Sequence, residues 1–154
     1  MASFRAALSQ LAAMQVAGVR NNYDLDALPD HMHPPQLPAL LVLPIELQDK
    51  RFFRAWHNSL GTSAFRGGVK QASYTVTHLL LLAPRESGLG IRSHLPRLVS
   101  LIDSYMGALA LDSTLDGKLQ LPAEVSVEPG IFAFGEREFF GCAFRHRWTL
   151  EAGA

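Results

Sequence analysis

The chain has 154 residues, of which 48% are hydrophobic and 18% are charged, and its 14 Lys and Arg residues balance 14 Asp and Glu residues. This composition is typical of a globular protein and excludes a disordered chain, while the length predicts a single domain, residues 1–154. The neutral balance argues against a broad basic surface for nucleic acid. It also leaves little electrostatic repulsion to oppose self-association.

The chain carries none of the sequence signals of export or membrane insertion. No basic N-terminal region is followed by an apolar run, so we expect no signal peptide. The aliphatic runs are too short to span a bilayer, and the single cysteine, Cys142, excludes an intramolecular disulfide. These features predict a soluble protein made in a cytoplasm.

A helix and a short strand are predicted at the N-terminus. Ser3 is a suitable N-cap for a helix that reaches about Ala17, where Gly18 supplies a stop. Val19–Tyr23 then has the character of a short strand.

An irregular stretch, Asp24–Pro38, follows, because four prolines and three aspartates prevent regular structure. His31 and His33 lie two residues apart in it and could share a metal ion. Their spacing places no further ligand beside them, so a solvated proline-rich loop is the favoured interpretation. We expect no metal site and no cofactor.

The middle of the chain predicts strands of unequal strength. Leu37–Pro44 is a short buried strand between prolines, Gln48–Asn58 is a weak strand, and Ser59–Gly68 is a flexible loop. Tyr74–Pro84 is the strand on which the rest packs. It alternates up to His78 and is then wholly apolar through Leu79–Leu82, which indicates burial on both faces.

The second half predicts one helix and one long hairpin. A helix from about Ser93 to Leu109, with Pro96 in its first turn, carries one wide apolar stripe. The members of that stripe are Leu95, Leu98, Val99, Ile102, Tyr105, Met106 and Leu109. The hairpin arms are Leu119–Phe134 and Glu138–Leu150, with a turn at Gly135-Glu136 and a bulge or bend at Pro129-Gly130. Helices and strands in this order predict an α+β fold.

Few residues suggest chemistry. His57, His78, His146 and Cys142 all lie in predicted strands and could meet in a small enzyme or metal site, but separate structural roles are commoner for strand histidines. Cys142 has no activating neighbour and predicts a buried structural thiol. We therefore expect no catalytic residues, and a binding or assembly protein.

The stretch Ile45–Gly68 is the predicted interface. It concentrates aromatic and arginine side chains, which are enriched at protein contacts, and its alternation is too poor to bury them in one sheet face. These residues are Arg51, Phe52, Phe53, Arg54, Trp56, Phe65 and Arg66. We expect an arm or hairpin that packs on an adjacent subunit or on a partner protein. A hairpin folded over its own domain is the alternative. Within this stretch, the basic and aromatic residues of Gln48–Asn58 could also stack on single-stranded nucleic acid, but three charges are too few to favour that.

The order of the elements resembles the tail terminator (tail completion) proteins of long-tailed bacteriophages. The resemblance covers nearly the whole chain and runs through the N-terminal helix, VRNNYD (19–24), LPALLVLP (37–44), Tyr74–Pro84, the helix Leu95–Leu109 ending near LDG (115–117), and EFFGCAFRHRWTL (138–150). Ile45–Gly68 departs most from the family's pattern.

The resemblance implies a mixed, mainly antiparallel sheet with two main helices on one face, assembled as a homo-hexameric ring. Such a ring caps the tail tube, ends its polymerisation and docks the head-tail connector protein. The predicted arm would then pack on an adjacent subunit or on the tail tube. DNA passes through its lumen without sequence reading, and the protein resides in the virion, at the neck of the tail. Another head-tail neck or connector ring protein is the alternative within the virion.

Overall fold

The computed structural model describes residues 3–44, 61–66, 69–86 and 90–151. These residues form two α-helices, six β-strands and two short 3-10 turns, at Leu25–Ala27 and Pro34–Gln36. In chain order the main elements are α1 (Phe4–Ala13), β1 (Asn21–Tyr23), β2 (Ala39–Leu43), β3 (Gly61–Arg66), β4 (Val69–Pro84), α2 (Ile91–Leu111), β5 (Glu124–Phe134) and β6 (Arg137–Glu151).

All six strands join one mixed sheet. Five of them run in the order β1-β2-β4-β6-β5, and β3 pairs with β4 off this path. Only β1 and β2 are parallel; every other pair is antiparallel. The predicted α+β class, with a mixed and mainly antiparallel sheet, is confirmed.

The strand β4 is the centre of this sheet, as its sequence predicts. One edge pairs with β6 along almost its whole length, and the other edge pairs first with β3 and then with β2. The run Leu79–Leu82 is completely buried, because β4 is covered on both faces there. The strand begins at Val69 rather than at Tyr74, since β3 provides a partner for the additional residues.

Both helices pack on one face of the sheet, which confirms their predicted placement. The helix α1 ends at Ala13, four residues before the predicted end, where the Met14 amide bonds to the Leu11 carbonyl. The helix α2 is longer than predicted, so Pro96 is its sixth residue and lies beyond the first turn. Neither helix among the described residues is long and apolar enough to cross a membrane.

The later part of the proline-rich stretch 24–38 covers the opposite face of the sheet, so the prediction of a solvated loop holds only in part: His31, His33, Pro34 and Pro35 are exposed, whereas Met32 and Leu37 are buried. Met32 is only 1% exposed and packs in a second core with Leu37, Leu79 and Leu81. The physical reason is that the second half of β4 is wholly apolar, so both of its faces have to be buried. No helix of the described chain lies on the face opposite α1 and α2, and the proline-rich stretch covers it instead.

The stretch 61–66, predicted as part of a flexible loop, is the strand β3. Its pairing with β4 runs without interruption from Gly61 opposite Tyr74 to Arg66 opposite Val69. The early part of β4 has an edge that β2 does not reach, and β3 occupies it. The weak strand predicted at Gln48–Asn58 lies outside the described residues.

The long hairpin forms as predicted, and of the bulge or bend predicted at Pro129-Gly130 the bulge is absent from the ladder. Gly135 and Glu136 have φ values of 56° and 69°, the left-handed conformation that a two-residue turn between twisted strands requires. The register of β5 and β6 is unbroken through Pro129. Because β5 is an edge strand, a proline is tolerated there. The one shift in the β4–β6 ladder lies between Leu81 and Ala83.

Candidate functional site

A network of hydrogen bonds lies beneath α2 and joins both helices to the sheet. The Tyr105 hydroxyl, on α2, lies 2.8 Å from His78 Nδ1 on β4 and 2.7 Å from His146 Nε2 on β6. His78 Nε2 lies 2.8 Å from Asn22 Oδ1 on β1, and the indole nitrogen of Trp148 is 3.1 Å from His146 Nδ1. The two histidines of the predicted strands therefore meet, through a tyrosine.

The donor and acceptor roles in this network follow from Trp148, whose indole N–H can only donate. His146 Nδ1 must accept that bond, so neutral His146 carries its proton on Nε2 and donates it to the Tyr105 hydroxyl oxygen. Tyr105 then donates to His78 Nδ1, and His78 donates from Nε2 to Asn22. Both histidines are thus neutral Nε2–H tautomers.

The hydrogen-bond network ends on the backbone of α1. Asn22 Nδ2 donates to the carbonyls of Leu11 and Met14, both at 3.0 Å. These carbonyls belong to the end of α1, where helical partners run out. The Asn22 side chain therefore bonds to the carbonyls at the end of α1 and connects them to the hydrogen-bond network under α2.

Burial keeps these groups uncharged. It lowers the pKa of His78 well below its usual value, with a further decrease from the charge of His146. Burial also lowers the pKa of His146 to about 3 and raises the pKa of Tyr105. Each polar side chain here has a partner inside the protein, so the arrangement orients α1 and α2 on the sheet.

Cys142 lies in the same core and is completely buried. Burial raises the pKa of its thiol to about 12, which suppresses the reactive thiolate. The predicted structural thiol is confirmed by its position.

We expect Cys142 to resist alkylation by iodoacetamide in the native protein at pH 8 and to react within minutes in denaturant, because only unfolding exposes the thiolate. Mass spectrometry of the labelled chain measures this. Native labelling at the rate of free cysteine would contradict the burial.

The other residues with possible metal chemistry do not converge. His31 Nδ1 donates to the Gly135 carbonyl at 3.0 Å, while the His33 amide donates to the Gln36 side chain at 2.8 Å. Within residues 3–44, 61–66, 69–86 and 90–151, no three His, Cys, Asp or Glu side chains could share a metal ion. His57 lies outside these ranges.

A groove of about 370 Å³ crosses strands β4, β6 and β5 on the face away from the helices. Arg145 and Arg147 line it, and Arg145 pairs with Glu128 at 2.7 Å. Glu124 lies opposite Arg147 on the neighbouring strand. Two acids therefore balance the two arginines, and the groove has little net attraction for an anion.

A row of exposed apolar side chains is the surface feature that the sequence did not predict. Among the described residues every exposed large hydrophobic lies on α2 or in the loop after it: Ile91, Leu95, Val99, Met106, Leu111 and Leu121. Val99 is 54% exposed and Leu111 is 92% exposed. Leu95, Val99 and Met106 share one flank of α2, whereas Leu111 lies on another side of the helix. Clustered exposed apolar side chains are typical of surfaces that bind partners.

The width of the apolar stripe on α2 could have revealed this surface. At about 100° per residue, the stripe from Leu101 to Val99 spans about 160°. The sheet buries only the half that contains Leu98, Leu101, Tyr105 and Leu109. A stripe wider than one packing surface leaves its second half for another partner.

The predicted interface residues are only partly within the described chain. Arg51, Phe52, Phe53, Arg54 and Trp56 lie outside the described residues. Phe65 and Arg66 belong to β3, where they pair with Lys70 and Val69. The part 61–66 of the predicted arm is therefore a strand of the sheet.

Comparison with known proteins assigns the chain to no family: no protein-family model matches it, and no curated protein is significantly similar to it.

Proposed function

We propose that the protein is a structural ring protein of a phage tail, the terminator that caps the tail tube. The observation that carries this proposal is the row of exposed apolar side chains on α2 and the loop after it. Such a surface is costly in water and is expected to be covered in an assembly. The neutral net charge permits close packing of identical subunits.

Two further features support the proposal. The sheet is mixed and mainly antiparallel, and both helices lie on one face, the architecture that the resemblance to tail terminators implies. In addition, the polar groups at the centre of the fold bond to one another, which suits a rigid building block. DNA would pass through the ring without sequence reading.

Light scattering after size-exclusion chromatography tests the assembly. We expect a ring with the mass of six chains, either alone or on addition of tail-tube protein, because the apolar surface of α2 is then buried. A strict monomer at high concentration, even with tube protein present, would overturn the proposal.

A capping assay tests the function itself. Purified tube protein is allowed to polymerise with and without the chain, and tube lengths are measured by electron microscopy. Terminators end polymerisation, so we expect shorter tubes. Capture on purified portal protein with no effect on the tubes would instead identify another neck ring protein.

A further inference from the structure

The helix layer leaves one strand of the sheet uncovered. The helix α1 packs on β1 and β2, and α2 packs on β4 and β6, but in the described chain no helix covers β5. Val125 lies opposite His146, and Val127 lies opposite Phe144. His146 and Phe144 both lie beneath α2. The helix-facing side chains of β5 are therefore apolar and only partly buried.

The exposed flank of α2 forms the second wall of this space. Leu101, on the buried side, lies against the loop after α1, since a Cβ on Gly18 would be 2.9 Å from it. By helical geometry, Leu95, Val99 and Met106 lie about 120–160° away from Leu101. They therefore point away from α1 and toward β5.

The apolar walls and the free edge of β5 define a cleft, which we call the α2–β5 cleft. Its residues are Leu95, Val99, Ile102, Met106, Val125 and Val127. From Leu95 to Met106 the cleft is about 16 Å long, at about 1.5 Å per helical residue. The outer edge of β5 offers backbone groups that only an extended chain satisfies fully.

The chain itself contains a segment of matching chemistry and sufficient length. Leu43, the end of β2, pairs with Thr77, and Gly61, the start of β3, pairs with Tyr74. These positions on β4 are three residues apart, about 10 Å, yet residues 44–60 connect them. The stretch Arg51–Trp56 would span about 20 Å when extended.

We propose that the α2–β5 cleft binds the Arg51–Trp56 stretch of a second copy of this chain. Phe52 and Trp56 provide large apolar side chains for the walls, and Arg51 and Arg54 provide positive charge. The contact joins two different surfaces, which is the type that closes a ring. This inference rests on the proposed function and identifies the subunit contact within it.

The charges around the cleft agree with this occupant. Asp103 is exposed on α2 beside Met106 and has no ion-pair partner among the described residues. It is placed to receive an arginine at the rim, whereas Arg92 lies beyond Leu95 at the far end. Glu124 points to the opposite face of β5 and takes no part in this contact.

Cross-linking between two separate variants tests the contact directly. One protein carries Val99→Cys and the other carries Trp56→Cys; they are mixed and treated with a short bis-maleimide. Cys142 is buried, so the wild-type chain supplies a low background. We expect a dimer from the mixture, and because each variant holds one new thiol, the product joins two different chains.

The matched control is Ser100→Cys, which is also exposed and lies on the same helix but about 100° away from Val99. We expect little product from Ser100→Cys mixed with Trp56→Cys. Equal yields from both mixtures, or none from either while the wild-type ring forms, would overturn the α2–β5 contact.

A charge in the cleft provides the second readout. We expect Val99→Asp to weaken self-association roughly 30-fold or more, as for a hot-spot residue, with the melting temperature of the monomer unchanged. Ser100→Asp should assemble normally. If Val99→Asp assembles like wild type, the inference fails although the ring stands; if the wild type is always monomeric, the proposed function fails.

Discussion

Lowering the pH from 7 to 5 is expected to reduce the free energy of unfolding, by about 2 kcal/mol through His146, whose pKa is about 3 in the folded protein, and further through His78, whose pKa is also lowered. Chemical denaturation at a series of pH values measures this.

The sign follows from the direction of the pKa changes. Burial lowers the pKa of His78, and it lowers the pKa of His146 to about 3, whereas both return to about 6.5 on unfolding. The unfolded chain therefore binds more protons below pH 6.5. The stabilisation is complete above that pH and is lost progressively toward the folded-state pKa.

The hydrogen bonds explain why His146 resists protonation. A proton on its Nδ1 would face the Trp148 indole N–H, which cannot accept. A His146→Gln variant should lose the part of the pH dependence between 7 and 5 that His146 contributes, about 2 kcal/mol. Stability that is flat between pH 7 and 5 would contradict the neutral, buried pair.

Replacement of Gly141 by alanine is expected to cost at least about 3 kcal/mol, the range of a severe steric clash in a core. Gly141 lies on β6, where β4 approaches so closely that a Cβ would be 1.9 Å from the Leu80 carbonyl oxygen. The obstacle is backbone, so no side chain can move aside. Relief would require β4 and β6 to separate.

Thermal and denaturant unfolding of Gly141→Ala measure this cost. The matched control is Gly107→Ala on α2, where an added Cβ meets nothing within 4 Å. That change should stabilise the protein by about 0.5–1 kcal/mol, because alanine favours helix over glycine. A Gly141→Ala protein as stable as wild type would show that the two strands do not approach this closely.

Local patterns account for the parts of the fold that were predicted correctly. The change in β4 from alternation to a continuous apolar run identified the central strand, since only a strand covered on both faces can bury Leu79–Leu82. The turn at Gly135-Glu136 is likewise predictable from the sequence, and the positive φ of both residues is characteristic of a tight hairpin.

The errors occurred where the outcome depended on a distant partner. The stretch 61–66 contains small and polar residues that suggest a loop, yet it is a strand because β4 has an unpaired edge beside it. Met32 is buried for the same reason. The apolar face of β4 has to be covered, and the proline-rich stretch is the part of the described chain that covers it.

Two helices, the central strand and the hairpin can be predicted from local patterns, because hydrophobic periodicity and turn chemistry are local properties of the chain. Which groups meet depends instead on the packing of elements that are distant in sequence. His78 and His146 lie 68 positions apart, and Tyr105, from a helix, joins them. The apolar stripe of α2 is continuous in sequence, and the sheet alone decides that one half is buried while Leu95, Val99 and Met106 remain exposed, because a helix can press only one side against a sheet.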